Sequence, residues 1–381
     1  MARIVLGSYM VRYPLGGMMS WVLQYLVGFH RLGHEIYLFE KAGWENACFD
    51  PVNGQMTDDC TYGAGIVDDL LRQFGLIDGW CFVDSAGNYH GIGKTKATGI
   101  LETADLFIDM GTHGSWEGEW GRCGLRVLID GEPGFTQMKM ENRQATGDRL
   151  PEYDHYFTTG RSIGTSLSDA PLAGRKWTPI FHPVCTEILD PVGSASDAPF
   201  TSVMNWQSYE PIHYRGDLYG HKDVEFEKFL DLPQHTSARL EQAVTGREIP
   251  TSRLENAGWT LRDAQEVTMS YDSFIDYLSV SRGEFGVCKS GYVRLKTGWF
   301  SDRSAAYLAL GKPVVLQETG FSNHLPCGEG LFAVNTVEEA AAAIDDIQSD
   351  YGRHARRARE LAVEFLDSRV VLKEFLTSCN I

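Results

Sequence analysis

The chain opens on a pattern that leaves few folds available. Residues 3–10, RIVLGSYM, form a short apolar run; WVLQYLVGFHRLG (21–33) repeats apolar residues at helical spacing and closes on Gly33; EIYLFE (35–40) is apolar again. A strand, an amphipathic helix and a second strand predict a βαβ unit. Its strands must run parallel, because a crossover helix joins them. Further apolar runs at 104–110, 126–131 and 155–160 extend the unit into an open α/β layer. Functional groups in such layers collect in the crevice at the carboxyl ends of the strands. The turns predicted there are Gly16-Gly17, Gly111-Thr112-His113 and Asp130-Gly131-Glu132.

With 381 residues, 43% of them hydrophobic, the chain is long enough for two cores. The segment 176–200 carries four prolines and several small residues, which suits a crossing between domains. Beyond it the strand and helix alternation restarts. FTSVMNW, EFGVCK, PVVLQ and LFAVN read as strands; KDVEFEKFLDLP, SARLEQAVTG, SYDSFIDYLSVSR and TVEEAAAAIDDIQS read as helices. The closing stretch from Tyr351 reads as two more helices. The expected division is 1–190, 191–360, and a terminal helical segment 361–381.

Net charge is −17, from 51 acidic and 34 basic residues, which argues against a broad electrostatic grip on nucleic acid or an anionic membrane. The expected partners are therefore small molecules, with no nucleic acid. The cysteines at 48, 60, 81, 123, 185, 288, 327 and 379 form no C-x-x-C pair or metal-type spacing, and read as reduced thiols. The start of the chain enters a strand at once, without a signal-peptide pattern, and no run approaches a membrane span of about 18–20 apolar residues. A cytoplasmic location is expected.

Four constellations carry candidate chemistry. In EFGVCKSGYVRLKTGWFSDR, Lys289, Arg294, Lys296 and Arg303 cluster in an otherwise acidic chain, among glycines that let backbone N–H groups approach an anion. Ser301 is a good N-cap and Asp302 suits the first turn of the helix that follows, whereas Arg303 is misplaced at a positive helix end unless an anion lies near it. That anion is either a bound phosphate or a carboxylate of the protein. In the loop QETGFSNHLP, Gly320 lets the backbone come near a ligand, and Gln317, Glu318 and Thr319 offer donors and acceptors to sugar hydroxyls or to the loop's own strand end. The Gly16-Gly17 turn lacks the full G-x-G-x-x-G pattern, so a nicotinamide role is poorly supported. His113, flanked by Asp109 and Glu117, is the candidate base for a hydroxyl, with Asp109 or Asp130 as substitutes. The aromatic stretch HGSWEGEWGR places Trp116 and Glu117 on a candidate acceptor wall. Asp130-Gly131-Glu132 is similar to a short acidic motif that holds a nucleotide-bound metal, but it reads as structural or acceptor-facing, and no metal site is expected.

GWFSDRSAAYLALGKPVVLQETGF resembles the donor-binding segment of GT-B fold glycosyltransferases, and YPLGGMMSWVLQYLVGFHRLGHEIYLFE is similar to the opening of the same superfamily. The resemblance implies an α/β fold of two Rossmann-like domains facing a central cleft. The first would bind the acceptor, the second the nucleotide sugar, and the C-terminal helices would cross back to the first. It implies a metal-independent hexosyltransferase-type enzyme using a UDP or dTDP sugar as co-substrate and no other cofactor. Gly16 and Gly17 would approach the donor diphosphate or acceptor; Ser301, Asp302 and Arg303 would lie beside the diphosphate or ribose; Glu318, Thr319, Gly320 and Phe321 would meet the transferred sugar. Many relatives carry a ribose-binding Glu where this chain has Ala306. A nucleotide-sugar 2-epimerase of the same fold is the alternative, and a non-catalytic two-domain binder a more distant one.

Overall fold

The computed structural model describes residues 1–381. The opening pattern folds as its periodicity requires. Arg3–Gly7 is a strand, Gly16–Arg31 a helix that ends before Gly33, and Glu35–Lys41 the neighbouring parallel strand. Gly33 takes a φ of 85°, which a glycine adopts without strain.

Two sheets organise the chain. The first has eight strands in the order 177–179, 155–158, 125–130, 106–109, 3–7, 35–41, 80–83, 89–91. All neighbours are parallel except the edge hairpin between Trp80–Val83 and Tyr89–Gly91. The second has six parallel strands in the order 260–263, 240–245, 200–205, 283–286, 314–317, 331–334. In each the order reverses beside the strand that starts the unit, which opens a crevice at the carboxyl ends. The strands are buried on both faces, as helix-covered parallel sheets require.

One predicted element is wrong. SARLEQAVTG was expected to be helical, yet Leu240–Thr245 is a strand inside the second sheet. Its helix-favouring Glu241 and Gln242 are buried there: Glu241 accepts from the Tyr277 hydroxyl at 2.9 Å, and Arg262 lies 3.4 Å away. Strand pairing on both sides outweighs a helix preference of a few tenths of a kcal/mol per residue.

The terminal helices return to the first sheet. Asp367 binds the Thr186 hydroxyl, Ser368 N donates to Val184 O at 2.9 Å, and Phe375 packs 4.8 Å from Phe157 and 6.0 Å from Phe29. Gly28 makes the close approach possible, because a Cβ there would lie 2.6 Å from Leu372 Cδ1. No helix is long and apolar enough to cross a membrane.

Candidate functional site

A cleft of about 500 Å³ lies between the carboxyl ends of the two sheets. Met110 and Gly111 follow one first-sheet strand and Asp130–Glu132 close another, while Val203–Asn205 and Thr245 end strands of the second sheet. The fold thus brings Gly17, His113, Asp130, Lys289, Ser301, Asp302 and Arg303 to one cavity.

Arg303 is held from within its own half of the molecule. Its Nε donates to Glu284 Oε1 at 2.6 Å and its Nη1 to Val203 O at 2.8 Å, while Nη2 has no partner. The anion demanded by the helix start is therefore a carboxylate, from the strand Gly283–Gly286, and a phosphate is not needed to explain the residue. Glu284 is fully buried, and its charge, with its hydrogen bond to the guanidinium, holds Arg303 above its ordinary pKa against the opposing effect of burial. Ser301 caps the helix by accepting from Arg303 N at 3.2 Å. Asp302, beside it, makes no ion pair and lines the cleft.

Sequence reasoning missed Lys222. It starts the short helix Lys222–Phe226, lines the cleft at 8% exposure, and its ammonium has no protein partner. Burial, then the charges of Arg303 and Lys289, push its pKa down to about 7. Nothing local marks it, since KDVEFEKF reads as the charged face of a helix. Lys222, unpaired at Nζ, and Arg303, paired with Glu284 yet lining the cavity, form with Lys289 a positive wall in an acidic protein. Such a wall fits a compact anion of multiple charge.

A second histidine, His182, faces the cleft. Its Nδ1 accepts from Trp21 Nε1 at 3.2 Å, which leaves the proton of the neutral ring on Nε2. Burial lowers its pKa and keeps it neutral. The ring lines the same cleft.

Asp109 is occupied by its own loop. Its carboxylate accepts the backbone N–H groups of Thr112, His113 and Gly114 at 2.8, 3.1 and 2.7 Å, and the Tyr153 hydroxyl at 2.7 Å. It shapes the turn that carries His113, which is exposed at φ 50°. Asp130 is similarly engaged, accepting from Glu132 N, Gln137 Nε2 and Thr158 Oγ1, each at 2.8 Å. Burial raises its pKa.

The remaining expected residues lie outside the cleft. A side chain at Gly16 would run into Ser270 O and Phe274, so this glycine serves contact between the two halves, while Gly17 opens on the cavity. Arg294 pairs with Asp217 at 3.2 Å, and Lys296 is exposed. Glu318 caps Gly320 N; Thr319 Oγ1 donates to Trp299 O at 2.6 Å; Phe321 is fully buried against Phe300. Trp116 is no acceptor wall: it is fully buried against Phe39, under Lys41. Glu117 pairs with Arg149 at 2.6 Å. No group of three or more His, Cys, Asp or Glu residues is placed to hold a metal ion.

No protein-family model matches the chain, and no curated protein matches it in sequence. Solved structures match it over its whole length. An α-glucosyltransferase in complex with UDP and a DNA 13-mer containing an HMU base aligns at TM-score 0.59 and 12% identity, covering 100% of both chains. Anabaena HepE in complex with UDP-glucose aligns at 0.56 and 12%, also over 100% of both. The sucrose-phosphate synthase of Thermosynechococcus elongatus aligns at 0.54 and 12%, over 99% of this chain and 98% of that one. These matches correct one expectation: structures of this architecture include complexes with DNA, so net negative charge does not exclude a nucleic-acid partner. Two largely parallel sheets facing one cleft, with terminal helices crossing back, give this chain the GT-B fold that it shares with these glycosyltransferase structures.

Proposed function

We propose that this protein is a hexosyltransferase-type glycosyltransferase that moves a sugar from a UDP or dTDP sugar to an acceptor hydroxyl. The observation that carries the reading is the convergence of Lys222, Lys289 and Arg303 on one wall of the cleft, Lys222 among them without a protein partner. A departing nucleoside diphosphate supplies the charge they lack. Electrostatic stabilisation of that leaving group by fixed cations asks for no metal. The division we propose assigns residues 1–190 to the acceptor, 191–360 to the nucleotide sugar and 361–381 to the helix that ties them. The eight free cysteines fit a reducing, cytoplasmic setting.

In this reading the bond from the sugar's anomeric carbon to phosphate oxygen breaks, its electron pair leaving with the diphosphate, as the acceptor oxygen bonds to that carbon. The acceptor proton passes to a base, for which His113 is the candidate on the opposite wall. Gly17, Ser301 and Asp302 border the donor; Arg294, Lys296 and the 318–321 loop do not line the cleft and would reach the sugar only after movement.

Calorimetry against UDP, dTDP, GDP, ADP and NAD, with and without magnesium, tests the reading. Selective binding of one nucleoside diphosphate independent of metal, lost in Lys222→Ala, is the expected result. Sugar transfer is then assayed on a panel of saccharide, lipid and DNA acceptors. Absence of binding to every diphosphate overturns the proposal, and release of nucleotide without any acceptor points to the epimerase chemistry instead.

A further inference from the structure

One ion pair joins the two walls of the cleft. Lys289 Nζ lies 2.5 Å from Glu132 Oε1, and the Tyr209 hydroxyl donates to the other oxygen of the same carboxylate. That hydroxyl is also 3.3 Å from Nζ. Glu132 follows a strand of the first sheet, whereas Lys289 and Tyr209 follow strands of the second. The lysine side chain is 13% exposed and the glutamate 39%, so the pair is shielded on one side and open to the cavity on the other.

The three cations of the anion wall are thus held differently. Lys222 has no partner, and Arg303 is held by Glu284 within its own half. Lys289 alone among them is bound across the cleft. An incoming diphosphate meets Lys222 unpaired, Arg303 fixed by Glu284, and one cation that it must take from a carboxylate across the cleft.

Resting on the diphosphate reading of the cleft, we propose that Glu132 is a positioning residue that holds Lys289 across the empty cleft and yields it to the donor's diphosphate. The released carboxylate then receives the hydrogen bond of a second hydroxyl of the acceptor, beside the one that reacts. One ammonium does not fully neutralise two anions; the diphosphate carries more charge and gains from Lys222 and Arg303 at once, so it wins the competition. Glu132, beside buried Asp130, is left short of a partner, and an acceptor O–H restores part of what it lost. Donor occupancy therefore creates the acceptor's binding group, and the acceptor in turn favours the donor-bound state by the same factor.

The test is calorimetric titration with UDP and with inorganic pyrophosphate of the wild type, Glu132→Gln, Lys289→Ala and the double variant. Removal of the competing carboxylate is expected to tighten binding about 5-fold or more, the low end of typical coupling between sites. In the Lys289→Ala background the same substitution is expected to leave affinity nearly unchanged. Glu132→Asp, which keeps the charge but withdraws it by one methylene, is expected to tighten binding as well. Unchanged or weaker binding by Glu132→Gln overturns the inference, and so does equal tightening without Lys289, which would reflect only a lost negative charge. A wild type that binds neither UDP nor pyrophosphate defeats the diphosphate reading itself, whereas normal wild-type binding without the tightening defeats the inference alone.

Discussion

Arg303 and Glu284 form an ion pair at 2.6 Å in which the carboxylate is fully buried and the guanidinium, at the edge of the cleft, keeps one buried nitrogen without a partner. The pair fixes a cation at the positive end of a helix, where the helix dipole alone would oppose it. One side chain therefore closes a buried ion pair and adds its charge to the cleft wall.

Arg303→Ala should damage both. It leaves Glu284 buried and unpaired, at a cost of about 3–5 kcal/mol, and removes a positive charge from the anion wall. Replacing both partners by apolar side chains, Arg303→Met with Glu284→Leu, should recover most of the stability and none of the nucleotide affinity. Melting temperature and calorimetric affinity, measured on the same samples, separate the two losses.

Lys222 should make both stability and binding pH-dependent. Its folded pKa of about 7 lies below the ordinary lysine value of about 10.4, so between those values the unfolded chain holds a proton that the folded one lacks. Stability contributed through this group is lowest below pH 7 and rises as pH climbs through the window; Lys222→Met should flatten that rise in thermal melts. A bound diphosphate favours the ammonium, so binding at pH 8 should take up a fraction of one proton. Calorimetry in buffers of different ionisation enthalpy measures it, and Lys222→Met should show none.

His113 and Asp109 should separate as chemistry and scaffold. His113→Ala should lower kcat about 10²- to 10⁴-fold with nucleotide affinity preserved, the range for loss of a general base. Asp109→Ala strands three backbone N–H groups and the Tyr153 hydroxyl, and should cost about 3 kcal/mol or more in urea unfolding. Full activity in His113→Ala would remove it from the mechanism.

Gly28 should govern the return of the C-terminal helix. Gly28→Ala places a methyl against Leu372 and Ser368, and overpacking of this kind costs about 1–3 kcal/mol. The helix Ser368–Ser378 should become more sensitive to limited proteolysis, while the Gly33→Ala strain at a positive φ should leave that helix protected.

Local periodicity determined the alternating strands and helices here, because apolar spacing and capping residues act within a few positions of one another. That suffices for a parallel α/β architecture, for the Gly33 helix end, and for the Ser301 cap. It also located the turns that carry His113 and Glu132, since strand ends in a parallel sheet share one edge, although Gly17, expected in such a turn, already lies in the helix Gly16–Arg31. Tertiary structure decided what those turns face. Leu240–Thr245 became a strand because its neighbours on both sides offered backbone pairing. Arg303 found Glu284 nineteen residues earlier in the chain, Lys222 came to stand unpaired beside it, and Lys289 reached across to Glu132. Trp116 went into the core. Electrostatic partners and burial depend on distances in space between residues far apart in sequence, and neither spacing nor composition records those distances.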